Sequence, residues 1–137
     1  MRTALDTNIL PPLWSGEPSA AGIPAQLERI RSEGALVVCG PVFVELAAHP
    51  AVDAPVVEEF LREMSVSVDF DLGEDIWRLA AATFSAYAVR RRRSGGGPPK
   101  RLLVDFIVAS HATLTADRLM TRDADRYRQD FPNLRLI

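Results

Sequence analysis

Short apolar, β-prone segments alternate with helical segments along almost the whole chain. The run Ala-Leu-Val-Val-Cys at residues 35–39 ends at Gly40 and Pro41, and continuous apolar runs of this kind are typical of strands buried on both faces. The segment at residues 74–92 begins with two acids and ends with arginines, which matches the dipole of a helix. The alternation predicts an α/β fold in which a parallel sheet carries helices on both faces. The predicted strands are residues 3–5, 35–39, 66–70, 118–121 and 134–137, and the predicted helices are residues 23–32, 41–49, 54–64, 74–92, 102–114 and 123–130.

The size and composition of the chain fit one globular domain. A chain of 137 residues supports a single hydrophobic core, so residues 1–137 are predicted to form one domain. No apolar run reaches the roughly 18 residues that span a bilayer, and the N-terminus lacks a signal-peptide pattern. We therefore expect a cytoplasmic location and no membrane partner. The single cysteine, Cys39, excludes an intramolecular disulfide bond and a multi-cysteine zinc site.

Positive charge is concentrated in one short segment. Six of the 16 basic residues lie within residues 90–101, which contain no acid, so the remaining residues have a net charge of −8. A basic segment on an acidic body indicates local contact with a polyanion, although arginines at a helix C-terminus also have a purely structural role. The basic residues of this segment are Arg90, Arg91, Arg92, Arg93, Lys100 and Arg101.

Four acidic residues occupy predicted strand ends or helix starts. They are Asp6, Glu45, Asp105 and Asp123, and such positions share one edge of a parallel sheet, where ligands bind. Asp105 interrupts an apolar run, and an ionised carboxylate among apolar residues is costly unless it is paired or metal-bound. Converging carboxylates need raised pKa values or a cation. An oxygen-only site suits Mg²⁺ or Mn²⁺.

Each of these acids also has a local explanation when it is taken alone. Asp6 could form an Asx turn, and Asp105 and Asp123 could each cap a helix. Glu45 could be solvated or ion-paired. The two histidines, His49 and His111, do not have the pattern of zinc ligands. The sequence contains neither a glycine-rich phosphate loop nor a nucleophile elbow around any serine.

The four acidic residues lie in motifs that resemble those of PIN-domain ribonucleases. The motifs are Leu5-Asp6-Thr7-Asn8, Pro41-Val42-Phe43-Val44-Glu45-Leu46, Asp105-Phe106-Ile107-Val108-Ala109 and Thr121-Arg122-Asp123. Within the family, the chain looks most like the VapC-type toxins of prokaryotic toxin–antitoxin pairs. The resemblance implies a three-layer, PIN-like fold with a five-stranded parallel sheet of order 3-2-1-4-5.

The same resemblance implies an activity and the residues that perform it. The activity is that of an endoribonuclease dependent on Mg²⁺ or Mn²⁺, in which metal-activated water cleaves the phosphodiester bond. Asp6, Glu45, Asp105 and Asp123 would be the catalytic quartet, and three of them (Asp6, Asp105 and Asp123) would hold the metal. Asn8 and Thr121 would orient carboxylates or metal-bound water. Apart from the resemblance, the net charge of −8 outside residues 90–101 would repel RNA, so we expect the basic segment at residues 90–101 to bind RNA phosphates.

The resemblance also implies partners. A cognate antitoxin would cover the acidic pocket, and the toxin would be a homodimer. Apolar faces on the predicted helices at residues 54–64 and from residue 74 onward are larger than a small core needs, which is consistent with association.

Other functions share parts of this pattern. A haloacid-dehalogenase-type phosphatase also begins with a strand that ends in aspartate, but it needs a second aspartate where this chain has Asn8, and Lys100 is the only lysine. A non-catalytic α/β module that binds RNA or protein is a further alternative. A housekeeping RNA-processing nuclease without an antitoxin would have the same chemistry.

Overall fold

Four parallel strands form the sheet of the computed structural model, which describes residues 1–98 and 101–137. The strands are β1 (Arg2–Leu5), β2 (Ala35–Cys39), β3 (Val66–Asp69) and β4 (Arg118–Met120), in the order β3-β2-β1-β4. β1 is central: Ala4 lies opposite Val37 of β2 on one side and Leu119 of β4 on the other. The first four positions of the predicted strand order are therefore confirmed.

All six predicted helices are present in the described residues, with ends within three residues of the expected positions. Two short elements between β1 and the first long helix were not among the predicted elements, namely α1 and a 3₁₀ helix. Each of them has a proline at its start, where the missing N–H costs nothing. The helices are α1 (Pro11–Ser15), the 3₁₀ helix (Pro18–Ala20), α2 (Ile23–Glu33), α3 (Gly40–Ala47), α4 (Ala54–Glu63), α5 (Glu74–Arg93), α6 (Leu103–Thr115) and α7 (Asp125–Arg128).

The direction of the chain through the sheet explains why helices lie on both faces. From β1 through β2 to β3 the chain moves one way across the sheet, and from β3 to β4 it returns past β1. Right-handed crossovers therefore place α2 to α4 on one face and α5 and α6 on the other. In agreement, α2 packs on β2, whereas α6 packs on β1 and β4. The strand β2 is covered on both sides, since Leu36, Val37, Val38 and Cys39 are all at most 1% exposed.

The prediction of a fifth strand at residues 134–137 is wrong for the described structure. The C-terminal segment lies beside β4 and makes hydrogen bonds with it, but only Leu119 and Leu136 form a β-bridge. β4 itself has three residues, and Pro132 and a turn at residues 132–134 precede the segment. Too few residues are left to build a second ladder, so the sheet has four strands with an isolated bridge at its edge.

The strand order creates a switch point between β1 and β4. The connections that leave these two strands run in opposite directions across the sheet, and open parallel sheets bind ligands in the crevice at such a point. Asp6 follows β1 directly and Thr121 follows β4 directly. Within the described part of the chain, no helix is long and apolar enough to cross a membrane.

Candidate active site

Asp6 is the buried centre of the acidic pocket, the group of Asp6, Asp105 and Asp123 at the switch point. Asp6 is only 4% exposed, and its carboxylate accepts hydrogen bonds at both oxygens. The Thr7 backbone N–H donates to Oδ1 at 2.7 Å, while the hydroxyls of Thr121 and Tyr127 each donate to Oδ2 at 2.8 Å. Three donors on one carboxylate keep its orientation fixed.

Thr121 connects Asp6 to two other predicted site residues. Its hydroxyl donates to Asp6 and accepts from the Asn8 amide at 3.3 Å and from the Asp123 backbone N–H at 3.1 Å. These three bonds use the full capacity of a hydroxyl. The Asn8 side-chain oxygen in turn accepts from the Arg122 backbone N–H at 3.1 Å. Asn8 and Thr121 therefore tie the turn after β1 to the turn after β4.

Asp105 is a second buried carboxylate, in the first turn of α6 and 5% exposed. Burial raises the pKa of Asp105 above its ordinary value, and the negative charge of Asp6 adds to this, outweighing the effect of the Arg126 guanidinium. Asp105 is thus a buried carboxylate whose neutral form is favoured chiefly by its burial.

Asp123 is the more open member of the pocket, with its side chain 45% exposed. Its Oδ2 lies 3.1 Å from Nη2 of Arg126, whose Nη1 lies 3.4 Å from Oδ1 of Asp105. One guanidinium therefore spans two of the predicted metal ligands.

Glu45 joins the site indirectly. It lies on α3, the helix that begins directly after β2, and its Oε1 accepts a 2.7 Å hydrogen bond from the Thr7 hydroxyl. Thr7 is also the residue whose backbone N–H binds Asp6. The structure therefore places all four predicted acids around the ends of β1, β2 and β4. Glu45 is linked to Asp6 through Thr7, which contacts both residues.

The donor types at the pocket fit a hard divalent cation. Asp6, Asp105 and Asp123 supply only oxygen atoms, the ligands that Mg²⁺ and Mn²⁺ prefer. In the arrangement seen over residues 1–98 and 101–137, however, no three acidic, histidine or cysteine side chains are grouped closely enough to hold a metal ion. Arg126 stands between Asp105 and Asp123, so a cation at all three carboxylates requires that this guanidinium move.

The basic segment at residues 90–101 divides into tied and exposed arginines. Arg90 and Arg101 both form ion pairs with Asp130, whose side chain is 2% exposed. Arg91 donates to the backbone oxygens of Gly96 and Pro98 and so closes the loop that follows α5. Arg92 and Arg93 are exposed, and Lys100 lies outside the described residues. The predicted RNA contacts of this segment stay a prediction.

Arg101 has a further structural contact beside the pocket. Its guanidinium carbon lies 5.1 Å from the Phe106 ring centre and 5.8 Å from that of Tyr127, distances typical of cation–π contacts. Phe106 follows Asp105 on α6, and Tyr127 holds Asp6. Arg101 therefore packs against the residues that support both buried carboxylates.

Sequence reasoning did not single out Thr7, Arg126 or Tyr127 as site residues. Arg126 has one local signal, since it lies three residues after Asp123, the spacing of a helical ion pair. Tyr127 has none, because 121 residues separate it from Asp6. Thr7 carries no pattern that distinguishes it from any other threonine in a turn.

Comparison with known proteins agrees with this fold. The crystal structure of VapBC2 from Rickettsia felis bound to a DNA fragment from their promoter contains a chain with the same fold. The match has a TM-score of 0.66 at 18% sequence identity and covers 100% of this chain and 98% of that one. No curated protein sequence matches the chain. The PIN domain family matches residues 3–132, nearly the whole chain, and the protein therefore belongs to the PIN domain family.

Proposed function

We propose that this chain is a divalent-metal-dependent endoribonuclease that acts in the cytoplasm as the toxin of a toxin–antitoxin pair. The observation that carries the proposal is the pair of buried carboxylates, Asp6 and Asp105, at the switch point of a parallel sheet. Membership of the PIN family supports nuclease chemistry at such a pocket. The alternative of a dehalogenase-type phosphatase gains no support, because Asn8 binds Thr121 and Arg122 here and carries no charge.

In this proposal Asp6, Asp105 and Asp123 hold Mg²⁺ or Mn²⁺. The bound ion would supply a water molecule of lowered pKa and neutralise charge on the scissile phosphate. The chain's own contribution is to fix the ligands: Thr121 and Tyr127 hold Asp6, and the first turn of α6 holds Asp105. Glu45, oriented by Thr7, completes the catalytic quartet.

Two exposed arginines at the end of α5 are the proposed RNA contacts. Arg92 and Arg93 are exposed, and the planar guanidinium binds phosphate through two parallel hydrogen bonds. The remaining arginines of the segment have structural partners, so we assign them a weaker role in binding RNA.

The proposed protein partners are an antitoxin and a second copy of the chain. The likeness to a VapBC2 chain supports the antitoxin, which would place a basic side chain among the acids of the pocket. An apolar surface supports the homodimer: Trp77, Leu102 and Leu103 are 49%, 60% and 58% exposed. Trp77 and Leu103 border a cavity of about 380 Å³ between α5 and α6 that is lined almost entirely by apolar side chains.

An RNA cleavage assay with matched variants tests the activity. The purified chain should cut labelled single-stranded RNA in Mg²⁺ or Mn²⁺ and not in EDTA. Asp6→Asn and Asp105→Asn should each abolish cleavage, since they remove a ligand charge with little change in shape. Asp71→Asn alters an exposed acid in the loop after β3 and should retain full activity. Unchanged cleavage by both site variants would refute the site, and an active nuclease that no antitoxin inhibits would instead be an RNA-processing enzyme.

A further inference from the structure

Arg126 is the cation that contacts the acidic pocket from within the chain. Its guanidinium lies 3.1 Å from Asp123 Oδ2 and 3.4 Å from Asp105 Oδ1. Asp105 is buried, whereas the Arg126 side chain is 38% exposed. The Arg126 charge therefore reaches the buried acid from the solvent side of the pocket.

The contacts of Arg126 with Asp105 and Asp123 have the geometry of ion pairs that another cation can replace. Charge-assisted hydrogen bonds between nitrogen and carboxylate usually measure about 2.7–2.9 Å, so the 3.4 Å contact with Asp105 is long. The guanidinium meets each carboxylate through a single nitrogen and not through the paired bonds of a bidentate pair. Its outer part is accessible to water, so the side chain can leave the pocket without opening the core.

The backbone of Arg126 is held in place independently of its side-chain contacts. Its N–H donates to the Asp123 carbonyl at 3.2 Å, at the start of the short helix α7. Tyr127, the next residue, is fully buried and bonded to Asp6. The backbone at residues 126–127 is thus held in place, so the Arg126 side chain can exchange its carboxylate partners without a change in the backbone.

We propose that Arg126 is the internal counter-ion of the pocket in the metal-free chain and that a divalent cation must displace it in order to bind. The inference rests on the proposed function, because it takes Asp105 and Asp123 as metal ligands. A guanidinium remains charged at every accessible pH, so cation and arginine compete for the same carboxylates. Arg126 thereby lowers the affinity of the site for metal and keeps its acids from repelling one another when no metal is present.

Calorimetric titration of the EDTA-stripped, dialysed protein with Mn²⁺ tests the competition. Arg126→Gln should bind Mn²⁺ roughly tenfold more tightly than the wild type, the change expected when one partly buried ion-pair competitor is removed. The matched control is Arg128→Gln, on the same helix, where the arginine is 68% exposed and pairs with Asp125. That variant should bind Mn²⁺ as the wild type does.

Thermal melts provide a readout that does not need metal. In EDTA, Arg126→Gln should melt below the wild type, and adding Asp123→Asn should recover part of the loss by removing one of the repelling charges. In saturating Mn²⁺ the difference should shrink, since the ion then balances the carboxylates in both proteins. Arg126→Lys keeps the charge but cannot span both carboxylates, so it should give intermediate Mn²⁺ affinity even if the glutamine variant folds poorly.

The outcomes separate this inference from the proposed activity. Unchanged or weaker Mn²⁺ binding by both Arg126 variants would overturn the displacement. Absence of Mn²⁺ binding by every protein at millimolar concentration would overturn both the displacement and the metal dependence of the proposed nuclease. Tighter binding by Arg126→Gln in a chain that cuts no RNA would leave the displacement standing and refute the nuclease.

Discussion

Tyr127 stabilises the charge of Asp6, and its removal should have a measurable cost. The side chain is fully buried, and its hydroxyl donates to Asp6 Oδ2 at 2.8 Å. Burial, together with the Asp6 charge, raises the pKa of the Tyr127 hydroxyl far above its ordinary value, so the group is a proton donor across the working pH range. Tyr127→Phe deletes this donor and leaves the ring in place.

The size of the effect follows from the charge of the acceptor. A hydrogen bond to a charged group contributes about 1.5–3 kcal/mol, and Asp6 keeps two other donors, so the free energy of unfolding should fall by about 2 kcal/mol. At roughly 4 °C per kcal/mol for a chain of this length, Tm should fall by about 8 °C. Urea denaturation followed by circular dichroism in EDTA at pH 7 measures the change directly.

A double-mutant cycle isolates the charged hydrogen bond. In the Asp6→Asn background the acceptor is neutral, so Tyr127→Phe should cost only about 1 kcal/mol. The coupling between the two positions should therefore be about 1 kcal/mol. An equal cost in both backgrounds, or a loss below about 0.5 kcal/mol in the wild type, would refute the role of Tyr127 as a donor to a charged carboxylate.

Three further predictions concern other parts of the molecule. Hydrogen bonds from His111 and Arg2 outweigh the effect of burial and lower the pKa of Asp69. The stabilisation from ionised Asp69 is present above its ordinary pKa and is lost as pH falls through the lowered value, so Asp69→Asn should be less stable at pH 7 and lose less stability on acidification below about pH 4. A variant whose stability falls with acid as steeply as that of the wild type in pH-dependent melts would contradict this. Replacing both Arg92 and Arg93 with glutamine should flatten the salt dependence of RNA binding by up to about 1.4 units of slope, at roughly 0.7 per phosphate contact. An unchanged slope would limit these arginines to a structural role at the C-terminus of α5. Light scattering at tens of micromolar should give a dimer for the wild type and a monomer for Trp77→Ser. The control is Phe70→Ser, which alters an exposed residue directly after β3 and should remain a dimer. A monomeric wild type would exclude the dimer.

Most of the fold could be predicted because its signals are local. The run at residues 35–39 gave β2 with the predicted ends, since a continuous apolar segment has few ways to bury both faces other than as a central strand. The prediction of a fifth strand was wrong because an apolar C-terminal segment predicts burial but not the length of its pairing with a neighbouring strand. The segment forms only one β-bridge with β4. The helix α1 was not among the predicted elements, although the prolines that begin it suit a first helical turn.

The site could be predicted only where chain order implies position. Asp6 and Thr121 follow adjacent parallel strands, so topology alone brings them together. The contacts of Arg126 and Tyr127 depend on how α7 packs over the ends of the strands, which no spacing in the sequence encodes. The same holds for Arg90 and Arg101, whose shared partner Asp130 lies far along the chain and turns part of a basic segment into a structural ion pair.

The central claim is that Asp6, Asp105 and Asp123 form a site for a divalent cation at the switch point between β1 and β4. Crystals of the protein grown with Mn²⁺ and measured at the manganese absorption edge test it most directly. The claim predicts an anomalous peak roughly 2.1 Å from carboxylate oxygens of Asp6 and Asp105, with the Arg126 guanidinium no longer in contact with Asp105. A peak elsewhere on the chain, or none at saturating Mn²⁺ with Arg126 still between Asp105 and Asp123, would contradict it.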